Sequence, residues 1–148
     1  MPEDHRITFE ENPSADDLRI VEEGYDAFTE AQIGEEGRRE IAFFVRDDRG
    51  AVVGGVKGMY SNYGWLWVAL LWVSEDHRGR GFGTELMKNI EEEAARNGCT
   101  NAYLNTFSFQ AVDFYRKLDY RVYGELEDFP VGHRVCAMTK KLAEHNAA

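Results

Sequence analysis

Between Trp65 and Val73 the chain carries nine consecutive apolar residues, and five residues later it breaks into Arg78-Gly79-Arg80-Gly81-Phe82-Gly83. A run this short falls well below the roughly 20 residues that a membrane-spanning helix needs. It reads instead as a central strand buried on both faces. Three alternating glycines directly after it let backbone N–H groups converge with no Cβ in the way. The helical pattern that follows adds the unpaired N–H groups and the positive dipole end of a helix N-terminus. Together these describe a site for phosphate, to which Arg78 and Arg80 add charge-assisted donors. The spacing excludes a P-loop, which needs Gly-Lys-Ser/Thr, and a dinucleotide fingerprint, which needs GxGxxG and a downstream ribose-binding acid. The same pattern without a ligand would be a glycine turn capping a helix.

The rest of the chain supplies the frame. Arg6 to Phe9 alternates as a short first strand. Asn12-Pro13-Ser14 opens a helix whose apolar positions Leu18, Val21, Tyr25, Phe28 and Ala31 fall on one face and which closes at Gly34. Strands follow at 41–45 and 52–59, separated by the turn Asp47-Asp48-Arg49-Gly50. The glycine segment leads into a helix over 83–97, buried through Leu86, Met87, Ile90 and Ala94 and closed by Gly98. Glu91, Glu92 and Glu93 read as its solvated face. A strand over 100–106, a short helix over 109–118 and strands over 120–126 and 133–142 complete the order, with a frayed tail beyond Ala143. The fold class is therefore mixed α/β, one domain over residues 1–148, with a sheet of about seven strands flanked by helices.

Charge and cysteine usage narrow the partners. The net charge is −10, with 15 acidic residues and 6 arginines in residues 1–50 alone. Phosphate-backbone binding needs clustered Lys and Arg, so nucleic acid is not an expected partner. An acidic half either steers a cationic substrate such as an amine or is a solvated, salt-adapted surface. The N-terminal residues show no basic stretch followed by an apolar one, so no signal peptide is expected. Cys99 and Cys136 have no framework or CxxC spacing and read as buried thiols in a cytoplasmic, reduced protein. No His/Cys/Asp cluster has metal-ligand spacing, and no metal is expected.

The segment from Val73 to Gly83 resembles the acetyl-CoA signature of the GNAT superfamily of N-acetyltransferases, Arg/Gln-x-x-Gly-x-Gly/Ala after a strand, with Arg78, Gly81 and Gly83 as the matches. About thirty residues on, Ala111 to Tyr120 is similar to that superfamily's A-x-x-F-Y-x-K-x-G-F/Y segment. The resemblance implies a mostly antiparallel mixed sheet whose central strand splays from its neighbour at a bulge. It implies that Leu71, Trp72 and Val73 offer their backbone to the pantetheine arm of acetyl-CoA by strand addition. Amides from Arg78 through Gly79, Arg80, Gly81, Phe82 and Gly83 to Thr84 would take the pyrophosphate. Ser108, Ala111 and Phe114 would flank the cofactor, and Tyr115 would protonate the leaving thiolate. Two positions depart from the pattern. Ser108 stands where a helix-opening Asn is common and is expected to cap the helix in its place. Asp119 stands where glycine is usual and is expected to take a left-handed turn. A homodimer is also implied.

An amine must lose a proton before it attacks a thioester. The central strand offers no carboxylate for this. His133, which titrates near neutral pH, is the candidate base, with Glu125, Glu127 and Asp128 nearby and a water held by Asn105 and Thr106 as the alternative. Tyr60, Tyr63, Trp65, Trp67, Trp72, Phe107 and Phe109 lie near the strand ends, where rings favour a cationic or apolar amine, although each ring singly reads as core. The expected function is acetyl transfer from acetyl-CoA to a small-molecule or peptide amine by direct attack in a ternary complex. The alternatives are an acetyl-CoA sensor of the same fold without turnover and a small-nucleotide phosphate binder.

Overall fold

A computed structural model describes residues 3–142; the tail expected to fray lies outside the described residues. They form two compact units, one ending at Glu35 and the other beginning at Glu36. The first unit holds α1 (Ala15–Ile33). Ser14 sits in an extended conformation and its hydroxyl accepts the Asp17 N–H at 3.0 Å, satisfying one of the orphan donors at the helix start. The helix ends at Gly34, φ 85°, whose N–H reaches the Glu30 carbonyl at 2.9 Å. No residue of α1 is buried. The segment Arg6–Phe9, expected as a strand, has no regular structure. Four alternating residues gain nothing without a ladder partner, and none pairs with them among the described residues.

The second unit is built from β1 (Arg39–Arg46), β2 (Val52–Tyr60), β3 (Trp65–Val73), α2 (Phe82–Arg96), β4 (Asn101–Phe107), α3 (Val112–Lys117), β5 (Arg121–Glu127) and β6 (Arg134–Lys141). Its sheet has six strands, not seven, in the order β1-β2-β3-β4-β6-β5. Every neighbouring pair is antiparallel except β3 with β4, which is parallel. The mixed, mostly antiparallel architecture expected from the sequence is thus present. The core lies on one face of the sheet, where Leu86, Met87, Ile90 and Ala94 of α2 cluster with Leu66, Val68, Leu104 and Met138. Each fully buried side chain of this size contributes about 1.5–3 kcal/mol.

β3 departs from expectation. Leu66 and Val68 are buried, but Trp65, Trp67, Leu70 and Trp72 on the alternate positions are exposed. The strand is half-buried, because the core cluster occupies one face only and its tryptophans point to the other. Glu91 departs too. It is tucked in, accepting hydrogen bonds from the Tyr120 hydroxyl at 3.0 Å and from the Lys140 ammonium. A carboxylate with two such donors is satisfied off the solvated face where Glu92 remains.

Two irregularities position the site. The register of β2 against β3 passes from Lys57↔Leu70 to Gly58↔Val68, leaving Ala69 as an extra residue on β3. Such a bulge bends its strand and increases the local twist. β3 pairs with β4 only from Trp65↔Asn101 to Trp67↔Tyr103. From the bulge onward the two parallel strands part, and β4 continues with β6 on its far side as far as Phe107↔Val135.

Candidate active site

The parting of β3 and β4 opens a cavity of about 420 Å³ lined by Ala69, Leu71, Asn105, Thr106, Ala111 and Tyr115, among others. One wall is the free edge of β3. The Ser74 N–H bonds the Val53 carbonyl at 2.8 Å. In an antiparallel ladder this makes Gly54↔Val73 a non-hydrogen-bonded pair. The backbone groups of Val73 and Leu71 therefore turn away from β2, while those of Trp72 turn toward it. Of the three residues expected to offer their backbone, Leu71 lines the cavity and Trp72 is exposed and lines a separate cavity against β2. The Val73 carbonyl is engaged, accepting from Arg78 Nε at 3.0 Å.

That contact folds Arg78 back onto the end of β3 and anchors the glycine turn there. A short 3₁₀ turn over Glu75–His77, unforeseen from sequence, precedes it, and Ser74 Oγ lies 2.7 Å from His77 Nδ1. Gly79 and Gly81 then adopt φ 76° and 84°, values that glycine reaches without the penalty other residues incur. A Cβ at either would meet nothing within 4 Å, so conformation and not space requires glycine there. Gly83 differs: its hypothetical Cβ would stand 3.3 Å from Phe114 Cζ, so α2 and α3 approach closely at this point. The Arg78 N–H is bonded to the Glu75 carbonyl at 3.3 Å, and the Glu85 N–H makes the first bond of α2, to Gly81 at 3.1 Å. The N–H groups of Gly79, Arg80, Gly81, Phe82, Gly83 and Thr84 have no hydrogen-bond partner among the described residues. Six consecutive unclaimed donors at a helix N-terminus are what an anion requires.

On the opposite side, Phe114 and Tyr115 of α3 meet edge to face at 5.2 Å, and Tyr115 meets Tyr120 in the same manner at 5.8 Å. Tyr115 is buried, and that burial pushes its phenol pKa up. Asp119 takes the expected left-handed conformation, φ 72°. Ser108 does not cap α3. Its hydroxyl accepts the Arg134 N–H at 3.1 Å and its own N–H donates to the Arg134 carbonyl at 2.8 Å, so it extends the β4–β6 ladder. The N-cap of α3 is Ala111, with no side-chain bond. Gln110, missed from sequence, closes this corner by accepting the Phe107 N–H at 3.1 Å and the Thr106 hydroxyl at 3.4 Å.

His133 is not among the residues that line the cavity. It is exposed, its ring edge-on to Phe109 at 4.9 Å, in a turn whose His133 N–H bonds the Pro130 carbonyl. Glu125 lies 3.7 Å from Arg134, and Glu127 and Asp128 are exposed. Asn105 and Thr106 do line the cavity. Asn105 also lines a second cavity, of about 580 Å³, on the tryptophan face of the sheet. Among the described residues no three His, Cys, Asp or Glu side chains converge as a metal site, and no helix is long and apolar enough to cross a membrane. Cys99 and Cys136 are free and buried.

Known proteins share this fold. The family model described as "Acetyltransferase (GNAT) family" matches residues 5–120. An acetyltransferase of Agrobacterium fabrum is 33% identical over 115 residues, covering 78% of this chain and 83% of that one. The blasticidin-S acetyltransferase of Streptomyces morookaense is 34% identical over 102 residues, 68% of this chain and 74% of its own. The crystal structure of an acetyltransferase from Bacillus cereus superposes with a TM-score of 0.84 at 31% identity, covering 91% of this chain and 98% of that one. A family match over most of the chain and relatives of about one-third identity agree with a splayed sheet and an amide-rich turn: this protein belongs to the GNAT acetyltransferase family.

Proposed function

We propose that this protein transfers acetyl from acetyl-CoA to a primary amine by direct attack in a ternary complex. One observation carries the reading: the unclaimed N–H groups from Gly79 to Thr84 stand beside a strand edge that no neighbouring strand seals. In this reading those amides take the pyrophosphate, and Arg78 and Arg80 add positive charge. The outward backbone of Leu71 pairs with an amide of the pantetheine arm, as an added strand would. The amine nitrogen bonds to the thioester carbonyl carbon, the carbon–sulfur bond breaks, Tyr115 gives its proton to the departing thiolate, and the proton lost by the nitrogen on becoming an amide restores Tyr115 through solvent. The raised pKa of Tyr115 suits that role, since it keeps the phenol protonated at neutral pH. Backbone N–H groups beyond the Ala69 bulge stabilise the oxyanion. Removal of the ammonium proton is assigned to water held at Asn105 and Thr106, which line the cavity, in preference to His133, which does not. Two free cysteines suit the reducing, cytoplasmic setting we assign to the enzyme.

The test is thiol release from acetyl-CoA across a panel of primary amines, paired with mass detection of the acetylated amine. We expect thiol and acetyl-amine in equal amounts. Binding of acetyl-CoA with no thiol release for any amine would establish a sensor and overturn the reading.

A further inference from the structure

We propose that the cavity walled by Trp65, Trp67 and Tyr103 is the acceptor pocket, and that it takes a primary amine carried on a flat, ring-bearing body. This rests on the transferase reading and adds the substrate class. The cavity encloses about 580 Å³ and shares Asn105 with the cofactor cleft. That volume is in the range of small-ligand pockets. The two cavities thus border on the same residue, Asn105.

The walls are aromatic for a structural reason. Trp65 and Trp67 are alternate residues on β3, so both project from the face opposite the core. Tyr103 stands opposite Trp67 in the last paired register before the strands part, and Trp65 meets it edge-on at 5.8 Å and 71°. Tyr60, at the end of β2, borders the cavity from the core side, in register with the buried Leu66. Ring faces carry negative charge density, so they attract an ammonium and disfavour a carboxylate.

The charged lining agrees. Glu36 and Arg38 both line the cavity and pair at 3.0 Å. The carboxylate is the deeper of the two, its side chain 36% exposed against 56% for the guanidinium. Glu36 is fixed in place, because its carbonyl accepts the Asn62 N–H at 2.7 Å. Tyr103 feels it: the phenol pKa is pushed up by burial, then by Tyr123 and Glu36, with Arg38 opposing. An arylalkyl amine thus finds ring faces for its body and a carboxylate for its charge, until the nitrogen loses its proton near Asn105.

The chain's three tryptophans all lie on β3, and two of them wall this cavity. Tryptophan emission therefore reports occupancy without any turnover. The probes are 2-phenylethylamine, phenylacetate and n-butylamine. We expect 2-phenylethylamine to bind at least about tenfold more tightly than either of the others, each of which lacks one of the two recognised features. Trp67→Leu and Glu36→Gln should each weaken it about fivefold, whereas Trp72→Leu, outside this cavity, should leave it unchanged. Equal binding of the three probes, no binding, or indifference to both variants would overturn the proposal. Calorimetric titration with acetyl-CoA on the same protein separates the failures. If acetyl-CoA binds and other amines release thiol while 2-phenylethylamine does not bind, only the pocket assignment falls. If acetyl-CoA does not bind, the transferase reading falls instead.

Discussion

The phenol of Tyr115 is packed edge to face between Phe114 and Tyr120, in a helix that borders the cavity between β3 and β4. Its position follows from two local choices that the sequence makes visible, the glycine at 83 that lets α3 press close and the left-handed Asp119 that ends the helix. If it donates a proton to the leaving thiolate, Tyr115→Phe should lower kcat about 100-fold while the Kd for acetyl-CoA stays within twofold, since the ring is retained. The sign of the pH effect follows from burial. Burial disfavours the phenolate, so the pKa moves above 10 and the donating form persists past the point where a free tyrosine ionises. The alkaline fall in kcat should accordingly lie above pH 10 in the wild type. A stopped-flow kcat profile that falls well below pH 10, in parallel in wild type and Tyr115→Phe, would show that another group titrates and that Tyr115 is not the donor.

Helix α2 performs two tasks with opposite demands. In the proposed reading its first turn keeps donors free for an anion, and its body must be held firmly enough to present them. The body is held by its apolar stripe and by the Glu91 contacts with Tyr120 and Lys140, the Glu91 and Lys140 side chains being only 12% and 18% exposed. A buried pair stabilises little relative to an apolar replacement, but breaking it strands a charge. Lys140→Met should therefore cost about 3 kcal/mol in urea unfolding, near the low end for such pairs, and Glu91→Leu combined with Lys140→Met and with Tyr120→Phe, which removes the hydroxyl that Glu91 accepts, should recover most of it. A single-variant cost below about 1 kcal/mol would mean that the pair behaves as an exposed one. Sequence reading missed this contact because Glu91 and Lys140 are 49 residues apart, and a run of three glutamates on a helix reads as a solvated face until β6 is placed beside it.

For the molecule as a whole, the proposed phosphate site implies that ligand occupancy and stability are linked. Acetyl-CoA at 100 times its Kd should add about 2.7 kcal/mol to unfolding, which for a chain of this size raises Tm by about 5–10 °C. Pantetheine, which has no phosphate, should give less than half that shift at equal concentration. Equal shifts from the two in a thermal melt would remove the phosphate from the account. The glycine turn, the strand before it and the helix after it were readable along the chain, because φ preference, apolar periodicity and helix starts are properties of neighbouring residues; the Ala111–Tyr120 segment was readable only by its resemblance to the family, and its helix begins at Val112 and not at 109. The exposure of one face of β3, the loss of the 6–9 strand, the service of Ser108 in the β4–β6 ladder and the absence of His133 from the cavity lining depend on which distant segments pack together. So does the pairing of Glu36 with the tryptophans of β3 around one cavity. Local torsional and periodic preferences are written into the order of residues, whereas the surroundings of a side chain are set by contacts between segments far apart in the chain, and these exist only once the sheet has assembled.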